Sequence, residues 1–313
     1  LKILMNKKVG GAWGFITESF VNALVDKGHT VLRYDNNIET WHSFDADIYI
    51  GCSGHRETIP KDTRTKKAIH VNPYGPVKID GIDESLAAIE WVHAQKPDAV
   101  FGYGGPGDRI FWSHWVSKLG IPWAPMPTAG DKILFKDMGL ERDVDLIYLG
   151  GRWPYKAKTI DKFLLPVYKS LQCRKALKGW GGWPQEFGDT SISDHEVNAY
   201  FNRGRVGPCM SEQHTQSYGI DIPERAFKLA LCGVMFVHDP VATLKGLIPS
   251  AVVANDPQEY LDVIEYYIKN EDDRYRVAKQ QQADVLQNQT YHNRMSTLFE
   301  VLGFAEQARL MIE

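Results

Sequence analysis

Short apolar runs alternate with stretches whose apolar residues recur at helical spacing, the pattern of buried strands separated by covering helices. In the first half, Lys2–Met5, Thr30–Tyr34, Ile48–Ile50, Ala68–Val71 and Ala99–Gly102 read as strands. Helices are expected over Thr17–Lys27, stopped by Gly28, and near Glu84–His93 and Phe111–Leu119. A second series follows, with strands at Leu146–Leu149, Ala176–Lys178, Val206–Met210, Val234–Val237 and Ala251–Val253. Its helices are expected over Thr159–Leu171, Asp194–Asn202 and Glu224–Cys232, and from Pro257 onward the pattern is helical to Ile312. Such alternation predicts parallel sheets covered on both faces, the α/β class.

Between the two series, Ile121–Asp145 carries Pro122, Pro125, Pro127 and Gly130, which suits a boundary rather than an element. Two doubly wound domains are therefore expected, residues 1–142 and residues 143–292. Ligands of such sheets bind beyond the carboxyl ends of the strands, here facing a central cleft, so residues just after strands take priority.

Composition narrows the picture further. At 313 residues the chain is long enough for two domains, and 43% hydrophobic with 24% charged residues describes an ordinary buried core. The formal net charge is -3 and no run of five or six like charges occurs, which argues against a basic arm for non-specific nucleic-acid binding. Cys52, Cys173, Cys209 and Cys232 form no C-x-x-C pair and read as reduced thiols. Without an 18-residue apolar run or a signal-peptide pattern, no membrane span is expected and a cytoplasmic location follows.

Three segments carry candidate chemistry. After the first strand, Gly10, Gly11, Trp13 and Gly14 form a small-residue loop leading into a helix, suited to an acceptor or a sugar phosphate and equally to a tight turn. The loop does not match G-x-G-x-x-G, and no P-loop is present, which weighs against nicotinamide and ATPase chemistry. The second series opens in the same way, with Gly150, Gly151, Arg152 and Lys156 between strand and helix. Small residues and cations there suit a diphosphate, although lysines at such places are also often merely solvated. The third segment runs from Tyr218 to Asp239; Pro223 is placed to start a helix and Gly233 to end it. Arg225 and Lys228 lie three apart, on one helical face. Trp180 follows a strand and offers an aromatic face to a base or to the core, and Tyr218 has the same standing.

The Tyr218–Asp239 segment resembles the donor-site signature of the CgeB-like branch of group-one glycosyltransferases and, more distantly, the phage DNA beta-glucosyltransferase. An Arg, an aromatic and a short apolar helix ending in Gly precede a strand and an Asp; the likeness continues through Pro257–Asn270, Asp273-Arg274 and Thr290–Arg294. The resemblance implies a GT-B fold, two Rossmann-like domains with a terminal helix of about residues 293–313 crossing back onto the first. It implies that Arg225 contacts the donor phosphate and that Gly150, Gly151 and Arg152 form the phosphate-facing loop. Where the family has a Glu after the aromatic, this chain has Lys228, which cannot accept from ribose hydroxyls, so Glu224 or Asp221 is expected to take that role.

The resulting expectation is a metal-independent glycosyltransferase that needs no cofactor and uses a nucleotide-sugar donor, a UDP-sugar in the favoured form. The acceptor stays open among glycan, small molecule and modified DNA. A DNA enzyme acting on a hydroxymethylated base, or a non-catalytic nucleotide-sugar-binding protein, are the alternatives. His70 and Asp108, both in Gly/Pro-rich strand-end segments, are the candidate bases. Asp45-Ala46-Asp47 and Asp143-Val144-Asp145 precede strands, at the end away from the expected cleft, and read as turn residues rather than metal ligands. His42, His55, His93, His114 and His195 lack the spacing of a zinc site.

Overall fold

The computed structural model describes residues 1–6, 11–34, 43–51, 64–71, 78–79, 82–83, 91–102, 120–183, 192–218 and 222–313. The chain divides into two compact units, Leu1–Thr128 with Tyr291–Glu313, and Ala129–Thr290.

The strands of the first unit are β1 (Lys2–Asn6), β2 (Thr30–Tyr34), β3 (Ile48–Gly51), β4 (Lys66–His70), a small hairpin of β5 (Lys78–Ile79) and β6 (Ile82–Asp83), β7 (Ala99–Gly102) and β8 (Trp123–Pro125). Six of them form a sheet in the order β2-β1-β3-β4-β7-β8, parallel throughout. β8 lies in the stretch read as a bare boundary. It sits at the sheet edge, where prolines are tolerated because one side of the strand needs no ladder donors. Leu4, Tyr49, Ile69 and Val100 build the core on the sheet. Helix α1 (Gly11–Asp26) covers the opposite face of the sheet, with Phe20 edge-on to Phe101 at 6.2 Å and to Tyr291 at 5.4 Å. The helix expected near Glu84–His93 is described only over 91–95, and the one expected over Phe111–Leu119 lies outside the described residues.

In the second unit β9 (Val144–Leu149), β10 (Lys175–Lys178), β11 (Gly204–Cys209), β12 (Met235–His238) and β13 (Val252–Val253) form a parallel sheet in the order β10-β9-β11-β12-β13. The helix expected over Thr159–Leu171 starts earlier, as α2 (Pro154–Thr159), because proline suits a first helical position. It widens into a π segment (Ile160–Leu164) before α3 (Leu165–Ser170). Pro166 lacks an N–H and crowds the preceding turn, so Leu165 N–H bonds to Ile160 O instead of closing an α turn. Then come α4 (Val197–Asn202), α5 (Gln213–Tyr218), α6 (Glu224–Leu231), α7 (Leu244–Leu247), α8 (Pro257–Lys269) and α9 (Glu271–Asn288).

The ends of these helices follow local chemistry. Asp256 caps α8 by accepting from Gln258 N and Glu259 N. Gly233, at φ +68, lets the chain leave α6, with Val234 N bonding back to Leu229 O. Leu146, Tyr148, Phe163, Val206, Val237 and Tyr260 form the core between the sheet and the α2–α3 and α8 layer. Residues 129–142, which the sequence reading places with the first half, pack on the second unit. Asn202 exchanges bonds with Met138 N and Lys136 O, and Arg142 donates to the carbonyls of Asn202, Gly204 and Cys232.

Helices α10 (Tyr291–Leu302) and α11 (Ala305–Ile312) return to the first unit, as the resemblance implies. His292 Nε2 meets Asp26 of α1 at 2.9 Å, and Arg294 Nε donates to Pro127 O at 2.6 Å. No described helix is long and apolar enough to cross a membrane.

Candidate functional site

In the second unit the strand after β9 lies on one side of it and the next on the other, so the direction of winding changes between β9 and β11. Covering connections diverge there and leave a crevice beyond the strand carboxyl ends, the usual ligand position in such sheets. The crevice floor is Gly150, directly after β9, and the turn after β11 that begins at Met210.

Arg225, in the first turn of α6, reaches this point. Its Nε donates to Leu149 O at 2.8 Å and its guanidinium carbon stands 4.2 Å from the centre of the Tyr148 ring. The side chain fits because Gly150 has no Cβ; one placed there would collide with Arg225 Nη2. Arg225 is only 9% exposed, yet its Nη1 has no hydrogen-bond partner among the described residues, and the buried Tyr148 hydroxyl also lacks one. A buried cation with unused donors is costly unless an anion or water completes it.

Lys156 joins it from α2. At 4% exposure it is not a solvated surface lysine, and burial, reinforced by the Arg225 charge, pushes its pKa down to about 7. Its Nζ lies 5.9 Å from the centre of the Trp153 ring. Trp153 Nε1 donates to Glu212 Oε1 at 2.7 Å, tying the loop after β9 to the turn after β11.

That turn is fixed by Asp239 at the end of β12. The fully buried carboxylate accepts from Ser211 N, from Ser211 Oγ at 2.6 Å and from Gln216 Nε2, and lies 2.8 Å from His238 Nδ1. Burial alone would raise the Asp239 pKa; the bonds from His238 and Ser211 overcome it and hold the carboxyl low.

Other sequence candidates fall differently. Arg152 is not a free cation: it forms a two-pronged bond to Asp161, at 3.0 and 2.7 Å, and donates to Gly182 O. Lys228 does not converge with Arg225 on one ligand position. It pairs with Glu224 at 3.0 Å and lies over the Phe135 ring, because a buried ammonium on α6 takes the carboxylate one turn before it. Glu224 thus carries its own counter-ion. Gly151 is hemmed in, since a Cβ there would collide with Trp153 and approach Trp180 Nε1. Trp180 is 43% exposed, 6.0 Å from Trp153 between ring centres, and its carbonyl accepts from Arg152 N. The Tyr218 side chain and all of Asp221 lie outside the described residues.

In the first unit, α1 begins at Gly11, so Gly11, Trp13 and Gly14 belong to its first turn rather than to an open loop. Gly14 O accepts from Thr17 Oγ1. Gly10, Asp108 and the Trp13 side chain lie outside the described residues. His70 ends β4, buried edge-on to Phe101 at 5.5 Å, and burial pushes its pKa down to about 3. Such an imidazole is a poor proton acceptor at neutral pH. Asp143 and Asp145 pair with Arg203 and Arg205 at the amino end of the sheet. Among the described residues no three His, Cys, Asp or Glu side chains gather to hold a metal.

Tyr148, Trp153, Glu212 and Asp239 were given no role by the sequence reading. Tyr148 and Asp239 stand at strand ends and carried some signal. The Trp153–Glu212 bond spans 59 positions and carried none.

Residues 151–300 match the family model described as glycosyl transferase-like. The matched stretch contains the residues of the crevice except Tyr148, Leu149 and Gly150. Solved structures agree on the fold, which is GT-B. A sucrose-phosphate synthase from Thermosynechococcus elongatus superposes with a TM-score of 0.66 at 13% identity, over 97% of this chain and 99% of that one. An alpha-glucosyltransferase in complex with UDP-glucose and DNA containing an abasic site gives 0.67 at 12% identity, over 96% and 98%. The T4 phage BGT in complex with its UDP-glucose substrate gives 0.62 at 12% identity, over 98% and 99%. No curated protein matches the chain.

Proposed function

We propose that this chain is a glycosyltransferase whose second unit binds a nucleotide-diphosphate sugar, a UDP-sugar, and transfers the sugar to an acceptor hydroxyl. The observation that carries the reading is Arg225: a buried cation with unused donors, at the strand-end crevice where an α/β sheet takes its ligands. The diphosphate sits against Arg225 and Lys156, and Gly150 leaves room for close approach. Two solved relatives of the same fold are described with UDP-glucose, which supports that donor.

As the bond between the sugar and the β-phosphate breaks, negative charge grows on the departing diphosphate. Arg225 and Lys156 stabilise it without rearrangement, because α6 and α2 already hold them in place. These two cations supply the charge that a metal provides elsewhere, so transfer is expected to persist in chelator. Asp108 rather than His70 is retained as the candidate base. Glu224, the residue before Arg225, is assigned to the ribose hydroxyls. The acceptor is a glycan, a small molecule or a hydroxymethylated DNA base, and the DNA-modifying relatives make the last worth including in any assay. Within the family we place the chain in the CgeB-like branch and in the cytoplasm.

The test is a thermal-shift and calorimetric screen of UDP, GDP, ADP and CMP with their sugars, against the wild-type protein and Arg225→Met. UDP should raise the melting temperature of the first and not of the second. If no nucleotide shifts the wild-type protein, the reading fails.

A further inference from the structure

Lys156 and Arg225 are both buried at the carboxyl end of β9, the first beside Trp153 and the second bonded to Leu149 O. Arg225 presents a guanidinium, all donors and no acceptor. Its field and the loss of hydration both act against a second positive charge at Lys156. Two carboxylates lie near enough to favour that charge, Glu212 on the turn after β11 and Asp239 after β12. Each is already engaged, Glu212 by the Trp153 indole and Asp239 by Ser211, Gln216 and His238. Cys209 on β11 and Tyr148 on β9 are further titratable groups at the site, and Tyr260 of α8, another buried phenol raised by burial, donates to Cys209 O behind them. Burial pushes the thiol up to about 12 and raises the Tyr148 phenol, so both are neutral and neither offers a compensating charge. From α5, the His214 side chain lies outside the described residues. Lys156 itself is 4% exposed, with its Nζ 5.9 Å from the centre of the Trp153 ring.

A diphosphate changes this balance. It brings at least two negative charges and several acceptor oxygens beside the amine, more than offsetting Arg225. We propose that nucleotide binding at this crevice is proton-linked: the entering diphosphate draws a proton onto the buried side chain of Lys156, beside the buried Arg225. The inference rests on the binding reading above and adds its regulation.

The consequence follows from linkage. Because the occupied site binds one proton more than the free one, affinity falls as pH rises from about 7, by up to tenfold per unit. Product release is then easier at higher pH, while below about 7 the dependence disappears because Lys156 is already charged. Lys156 also makes the crevice discriminate by charge: a singly charged ligand gives the amine less reason to protonate, so it gains less than a diphosphate does.

The experiment is calorimetric titration of the full chain with UDP at pH 8, in buffers of different ionisation enthalpy. At pH 8 the terminal phosphate of UDP is ionised and contributes little proton exchange of its own. About 0.9 proton should be taken up per UDP bound, the fraction of a group with a pKa of about 7 that is neutral at that pH. Lys156→Arg, permanently charged, should bind UDP with no proton uptake and little pH dependence. Lys156→Met should bind more weakly, again without uptake. UDP binding with no proton uptake in the wild-type protein would overturn the inference and leave the binding reading intact, as would uptake that survives in both variants. Failure of the wild-type protein to bind UDP at pH 6 as well as at pH 8 would end the UDP-binding reading, and this inference with it.

Discussion

Tyr148 supports Arg225: the guanidinium carbon stands 4.2 Å from the centre of the ring, while Nε donates to the carbonyl of Leu149, the residue after Tyr148. The end of β9 therefore aims the cation. Position 150 must be glycine for that geometry to exist, because the space a Cβ needs is taken by Arg225 Nη2. Strand, glycine and arginine form one device, assembled from parts of the chain 76 positions apart.

Gly150→Ala and Arg225→Met are expected to damage the same function. Each should weaken UDP binding about 10- to 100-fold, the size of one or two lost bonds to a charged group. In the double variant the second change should add little, since the alanine acts by displacing the guanidinium. Fully additive losses in a double-mutant cycle would show that Gly150 serves some other purpose. Arg225→Met alone should cost little stability, because it removes a buried charge together with its desolvation.

Much of the fold was legible because hydrophobic period reports burial, and ten strands were read within about two residues at each end. β8 was hidden by prolines that an edge strand accepts, and the π segment by a proline inside an otherwise regular helical pattern. The site was legible where strand ends and glycines coincide, at Gly150 and Arg225. What the sequence could not reveal is which cations are already neutralised. Asp161 lies nine residues from Arg152, outside the usual helical pair spacings, and Lys156 alternates with solvated positions, so nothing in the pattern announced its burial.

His70 should make the protein sensitive to mild acid. Its pKa is near 3 when folded and near 6.5 when unfolded, so the unfolded chain binds the extra proton between those values. Stability is then complete above about pH 6.5 and declines as pH falls, by up to about 2 kcal/mol at pH 5. Urea unfolding midpoints at pH 5 and 7 measure this, and His70→Phe should lose most of the difference. An unchanged difference would mean that the acid sensitivity lies elsewhere.

The Lys228–Glu224 pair offers a test of where the ribose binds. Glu224→Ala should lower UDP affinity about tenfold, the worth of one charge-assisted bond to a hydroxyl, while leaving inorganic pyrophosphate binding nearly unchanged. Equal losses for both ligands would move Glu224 to the phosphate side and leave the ribose contact unassigned. Lys228→Met should lower stability by about 2 kcal/mol, since it strips a counter-ion from a carboxylate that is almost fully buried.

Asp239 should prove the most sensitive residue of the second unit. Removing its carboxylate in Asp239→Ala leaves the donors of Ser211, Gln216 and His238 facing a cavity, at a cost of about 3–5 kcal/mol. Asp239→Asn should cost less, since the amide oxygen still accepts from Ser211. The damage should reach the crevice: once the turn after β11 loosens, Glu212 no longer holds the Trp153 indole against Lys156. UDP affinity should then fall in the Asn variant at temperatures far below its melting point. Because the folded pKa of Asp239 is depressed, its contribution to stability is present above the ordinary carboxylate range and is lost as pH falls through the folded value. Urea unfolding of both variants, paired with calorimetric UDP titration, separates the two effects. A destabilised Asn variant that binds UDP as tightly as the wild-type protein would confine Asp239 to the core.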